Sequence, residues 1–263
     1  MASLTGPNLK ITRAMEHLNT LEAELNSLVC RKRYTISNYV NLETRQQIWE
    51  LVNEPPVIPD TIPLLLGDCL YNFRAALDHL VWQLVILEGN TPCKKNEFPI
   101  FDNPAQYKVG KKPRLQGLSA DAIVIIDGLQ PHNAGNEALS MLYELNNTDK
   151  HRHLHFAVSA VTIQQLNVTL RTDGIGSDFL STAQSRQGSK GHFGPIEKGT
   201  ILYSALNPYV DAKVNPIIDI IFRDFEAELR VSVGDVIRSI RDMVNKVFSQ
   251  LSPLFIGDDT KKE

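Results

Sequence analysis

Arg74 and His79 lie in the run Arg74-Ala75-Ala76-Leu77-Asp78-His79, which sets a permanent cation five residues away from a group that titrates near neutrality. Such a pair could move a proton beside a developing negative charge that the guanidinium stabilises. Asp78 follows Arg74 at helical ion-pair spacing, so a partly buried salt bridge is the plainer reading of those two residues. A second concentration is Asp149-Lys150-His151-Arg152-His153-Leu154-His155, with three of the seven histidines. His153 and His155 would share one face of a strand, and with His151 could hold zinc or another divalent metal, which His79, His132 or Asp149 would complete. Without metal, Lys150, His151 and Arg152 would meet an anion, or simply complement a helix C-terminus. Lys94, Lys95, Lys108, Lys111 and Lys112 make the segment from 94 to 114 locally basic, and Lys111 and Lys112, with Asn72 and Arg152, are the substrate-binding candidates.

The Arg-x4-His spacing on a helix resembles the motif of HEPN-type ribonucleases. That resemblance implies Arg and His acting on the scissile phosphate of RNA, commonly with a second copy across a homodimer. Asp78, Lys150 and His151 complete the catalytic candidates, His151 or Lys150 assisting the leaving group. More broadly, the stretch from Gly67-Asp68 through Asp78-His79-Leu80, then Phe98-Pro99-Ile100, Leu129-Gln130-Pro131 and Asn146-Asn147-Thr148-Asp149-Lys150-His151-Arg152, is similar to a bacterial family of uncharacterised proteins. The likeness covers residues 57 to 155 and implies no particular activity.

These residues need elements to position them. Asp60 or Thr61 is the expected cap of a helix running from 61 to 88, with Pro63 in its first turn and Gly89 past its end. At 100° per residue, Leu66, Cys69, Leu70, Phe73, Leu77, Leu80, Leu84 and Leu87 form its buried face, while Asp68, Asn72, Ala75, His79 and Gln83 form a polar strip whose plain reading is contact with water. An amphipathic helix precedes it, starting at Thr5 and Pro7 and ending near Arg31-Lys32-Arg33, and a hairpin spans Tyr34 to Val52. The prolines at 92, 99, 104 and 113 predict an extended connection over 90–116. Helices follow from a Ser119 cap to Asp127 and from Gly135 to Asn147. Period-two alternation from 153 to 170 predicts two strands or a hairpin, with further strands at 200–206 and 212–225. Six of the fifteen glycines fall in 172–199, a loop. Ser232 with Asp235 opens a final long helix with a stripe from Val236 to Leu251.

The fold class expected is α+β: long central helices against one antiparallel sheet, a long C-terminal helix, a single domain over 1–256 and a polar tail at 257–263. Hydrophobic residues at 43% and charged residues at 22% exclude wholesale disorder, and a net charge of −3 argues against coating nucleic acid or an anionic membrane. The apolar stretch 64–87 is broken by Asp68, Arg74 and Asp78, so no membrane span is expected. Three unpaired cysteines and the lack of an export signal suggest the cytoplasm. Three readings stand: an endoribonuclease without cofactor, a metal-dependent hydrolase using His151, His153 and His155, and a noncatalytic binding or assembly module in which Arg74, Asp78 and His79 organise a polar network.

Overall fold

A computed structural model describes residues 1–31, 34–151, 154, 156–170, 190–191, 194–205, 210–222 and 232–256. It is an α+β protein. Where one domain is expected over 1–256, the residues sort into two compact units: Met1–Glu24 with Asp60–Leu154 and Val233–Glu263, and Leu25–Pro59 with His155–Ser232.

The first unit is helical. Helix α1 is Thr5–Arg31 and α2 is Thr61–Leu87, both 27 residues. The expected face of α2 is buried: Leu66, Cys69, Leu70, Phe73, Leu77 and Leu80 are fully inaccessible, and only Leu87 is half-buried. Asp60 precedes α2 but its side chain makes no capping hydrogen bond. The connection 90–116 is not wholly extended, because α3 occupies Pro104–Arg114. Asn103 accepts hydrogen bonds from the amides of Ala105 and Gln106, and Pro104 sits at the first helical position, where its missing N–H costs nothing. Helix α4, Ala120–Gly128, starts from the Ser119 cap as expected. Helix α5 is Ala138–His151, starting later and running farther than its apolar repeat suggests, so that Asp149, Lys150 and His151 form its last turn. Helix α6, Val233–Leu251, buries its whole predicted stripe and packs on α2, α4 and α5. A short 3-10 turn, Ser252–Phe255, follows it.

The second unit holds the strands: β1 (Ile36–Val40), β2 (Gln47–Leu51), β3 (Phe156–Leu170), β4 (Lys190–Gly191), β5 (Gly194–Pro195), β6 (Ile201–Ala205) and β7 (Val210–Phe222). The early hairpin forms as expected, from Ile36 opposite Leu51 to Val40 opposite Gln47. The single expected sheet is instead two antiparallel sheets, of order β1-β2-β6-β4 and β5-β3-β7. Residues 156–170 are one strand rather than a hairpin, paired with β7 from Phe156 opposite Phe222 to Leu170 opposite Val210. Register shifts between Ala160 and Thr162 and between Ile163 and Gln165 break the alternation, and so a continuous strand reads as two. Leu51, Val158, Ile196 and Leu202 are the buried centre of this unit. Of the glycine-rich loop expected at 172–199, residues 190–191 and 194–195 are strand, while 172–189, 192–193 and the tail 257–263 lie outside the described residues.

Candidate functional site

Only part of the polar strip of α2 is covered: α1 runs antiparallel to α2 and buries Asn72 and half-buries Gln83, while Asp68 and His79 stay exposed, as expected of a strip in contact with water. From one end to the other, the Ser3 amide donates to Gln83 Oε1 at 2.8 Å, and a Cβ built on Gly6 would stand 3.9 Å from His79 Nδ1. Lys10 Nζ donates to Asn72 Oδ1 at 3.4 Å and lies over the Tyr71 ring, Cys69 Sγ is 3.5 Å from the Ala14 carbonyl, and His17 Nδ1 is 3.7 Å from Asp68. Thr61 Oγ1 donates to Glu24 at 2.6 Å and closes the far end. Asn72 is therefore 7% exposed and also donates to the Asp68 carbonyl, a structural role rather than the substrate contact expected of it. Burial, then the charges of Asp68 and Glu22, push the Cys69 thiol up to about 12, so this sulfur is an inert core group.

Arg74 leaves α2 on another side. Five residues of helix turn through about 500°, which separates Arg74 from His79 by roughly 140° around the axis. The Arg74 guanidinium donates to Asp78 through Nε at 3.2 Å and Nη2 at 2.7 Å, and Nη2 also donates to the Phe98 carbonyl at 2.8 Å. Asp78 Oδ1 accepts the Phe98 amide at 2.9 Å. The pair thus holds both backbone groups of one residue in the Glu97-Phe98-Pro99 segment, and Phe98 is fully buried. Gln130 fixes the next residue, donating to the Pro99 carbonyl at 3.0 Å. Arg74 Nη1 and Gln130 Oε1 are buried without a hydrogen-bond partner on the two sides of this segment. The Arg74 side chain is 12% exposed, whereas His79 is exposed on its own side of the helix.

The end of α5 meets α2 near the opposite end from His79. A Cβ on Gly67 would collide with the Asp149 carboxylate, so glycine is what lets the two helices approach here. Twelve residues of α2, about 18 Å, separate Gly67 from His79. Lys150 and His151 follow Asp149 and are exposed. Within one chain, then, the five expected catalytic residues form two groups, Arg74 with Asp78 on one side and Lys150 with His151 at one end, with His79 apart from both. Arg152, His153 and His155 lie outside the described residues. Among the described residues, no group of three or more His, Cys, Asp or Glu side chains is arranged to hold a metal.

A cluster that spacing alone does not reveal surrounds Asp127. Tyr107 Oη donates a short hydrogen bond to Asp127 Oδ1, and Lys111 Nζ reaches both carboxylate oxygens at 2.7 Å while lying over the Tyr107 ring. The His132 ring stacks obliquely on Tyr107 at 5.6 Å, with Nδ1 3.1 Å from the Phe101 carbonyl. Burial, then the Asp127 hydrogen bond and charge, push the Tyr107 phenol well above its ordinary value. Lys111 is thereby neutralised, while Lys112 stays exposed. Its only signal in the sequence was a tyrosine and a lysine four apart. Tyr107→Phe should lower stability by about 1–2 kcal/mol in thermal or denaturant unfolding, the cost of one hydrogen bond to a charged acceptor.

No family model, curated protein or solved structure matches this chain. Its class is set by the fold, an α+β protein built from a helical unit and a two-sheet unit. Among the described residues no helix is long and apolar enough to cross a membrane.

Proposed function

We propose that this chain is a noncatalytic assembly module that pairs with a second copy of itself through the outer face of α2. The observation that carries the reading is an apolar stripe that stays largely exposed on that helix: Leu64, Tyr71, whose ring Lys10 covers in part, and Trp82 are 65%, 54% and 40% exposed. Leu64 and Trp82 are five full turns apart, and Tyr71 and Ala75 fall within about 20° of the line joining them. Two copies of α2 laid antiparallel about a two-fold axis at position 73 set Leu64 against Trp82 and Tyr71 against Ala75, large against small, as an isologous interface requires. Asp68 then meets Asp78, whose charge Arg74 already balances, and lies beside His79 of the second copy. The module needs no cofactor, and its cysteine usage supports the cytoplasm.

In light scattering, the wild-type chain should be dimeric at micromolar concentration, while Tyr71→Glu and Trp82→Glu should be monomeric with unchanged helical content. Wild-type chain that stays monomeric up to about 100 μM, or glutamate variants that keep the dimer mass, would overturn the reading.

One consequence of this pairing favours a second reading. Gly67 comes opposite His79 of the second copy, which carries Lys150 and His151 toward that imidazole. RNA cleavage without metal would then be shared between two copies, His79 taking the 2′-hydroxyl proton and His151 or Lys150 assisting the leaving group. Incubation with a panel of single-stranded and structured RNAs separates the two. No cleavage rules out shared catalysis, whereas cleavage that His79→Ala lowers by roughly 100-fold makes the paired chain an enzyme.

A further inference from the structure

Helices α3 and α4 and the turn between them border an open concavity of about 790 Å³ that includes Lys108, Lys111, Lys112, Leu115, Leu118 and Ile123 in its lining. Lys108 and Lys112, four apart on one face of α3, are exposed, and among the described residues neither enters an ion pair. The third lysine is spoken for, since Lys111 binds both oxygens of Asp127, and the same contact cancels the carboxylate that would otherwise repel an anion. Leu115, 3% exposed, and half-buried Leu118 and Ile123 supply an apolar wall.

The wall is held in place. Asn96 donates to the carbonyls of Arg114 and Gln116, both at 3.0 Å, and Asn90 donates to the Gly117 carbonyl at 2.9 Å. Gly117 has φ +91°, a backbone conformation that favours glycine, and the Ser119 cap fixes the start of α4 immediately after it.

We propose that this concavity binds a small organic anion with an apolar body, its charged head between Lys108 and Lys112 and its hydrocarbon against Leu115, Leu118 and Ile123. The volume lies in the range of small-molecule sites, and an apolar floor with a few placed charges is what such sites present. A polynucleotide would need cations spaced along several phosphates, and here two free charges sit over hydrocarbon. The site is independent of the α2 surface.

The test is fluorescence titration of the full chain with anilinonaphthalene sulfonate, an anion fused to an apolar ring system. Saturable binding of one probe per chain is expected, displaced by decanoate and not by inorganic phosphate. The Lys108→Glu/Lys112→Glu variant should bind roughly tenfold more weakly or worse, with an unchanged melting temperature. Leu118→Asp should weaken binding as well, and Lys108→Arg/Lys112→Arg should keep it. Uncharged phenylnaphthylamine binding as tightly as the sulfonate would overturn the proposal. So would charge reversal that leaves the affinity within about twofold, displacement by phosphate equal to that by decanoate, or no saturable binding.

Discussion

Arg74→Ala should destabilise the folded chain by about 3 kcal/mol or more, because it strands the Asp78 carboxylate and frees the Phe98 carbonyl in a nearly closed environment. Asp78→Ala should cost a comparable amount through the converse loss, including the acceptor for the Phe98 amide. The double variant should cost clearly less than the sum, since each single change already breaks the same bidentate pair. Arg74→Lys should recover only part of the loss, because one ammonium cannot serve Asp78 and Phe98 in the planar geometry of the guanidinium. Denaturant unfolding monitored by circular dichroism measures all four. The pH dependence has a definite sign. Burial, opposed by Arg74 and the Phe98 amide, raises the Asp78 carboxyl above its ordinary value. The native state therefore holds that proton more tightly than the unfolded chain, and stability from this group falls as pH rises from roughly 4 toward its native-state value. Asp78→Asn should abolish that descending component.

Phe73→Ala is expected to cost about 3–5 kcal/mol, the range for emptying a fully buried aromatic site. Phe73 has no exposed surface and lies one residue before Arg74 on the face that α2 turns inward. Leu64→Ala on the outer stripe should change monomer stability by less than about 0.5 kcal/mol, since that side chain is 65% exposed. Comparing the two separates the face that holds the fold from the face proposed to pair, and any larger effect at Leu64 should appear only where the chain is dimeric.

The inward face of α2 and the whole stripe of α6 were legible because helical periodicity records burial directly, without reference to which element supplies the cover. The polar strip of α2 misled for that same reason. Asn72 and Gln83 look solvated until α1 is laid against them, and the partners Lys10 and the Ser3 amide lie more than fifty residues away in sequence, whereas Asp68 and His79 of the same strip do stay exposed. Helix α3 was hidden by its prolines, which read as breakers, although Asn103-Pro104 is a cap followed by a first-turn proline. The division of the strands into two sheets depends on β6 choosing β2, a long-range pairing with no local signature. The ion pair of Arg74 and Asp78 was visible as i,i+4 spacing, but its purpose, gripping both backbone groups of Phe98, emerges only when the chain returns past α2. His79 and His151 were grouped by chemical type, and the length of α2 keeps them apart within one chain.

Pairing of α2 about position 73 is tested most directly by cross-linking between different variants. In a Cys30→Ser, Cys93→Ser background, which leaves only the buried Cys69 of the natural thiols, one preparation carries Tyr71→Cys and another Ala75→Cys. On mild oxidation of the mixture, a covalent dimer should form in high yield, because position 71 of one copy faces position 75 of the other, and either variant alone should cross-link far less. Equal cross-linking in the separate and mixed samples, or none in any of them, would contradict the assignment of the outer face of α2 as the assembly surface.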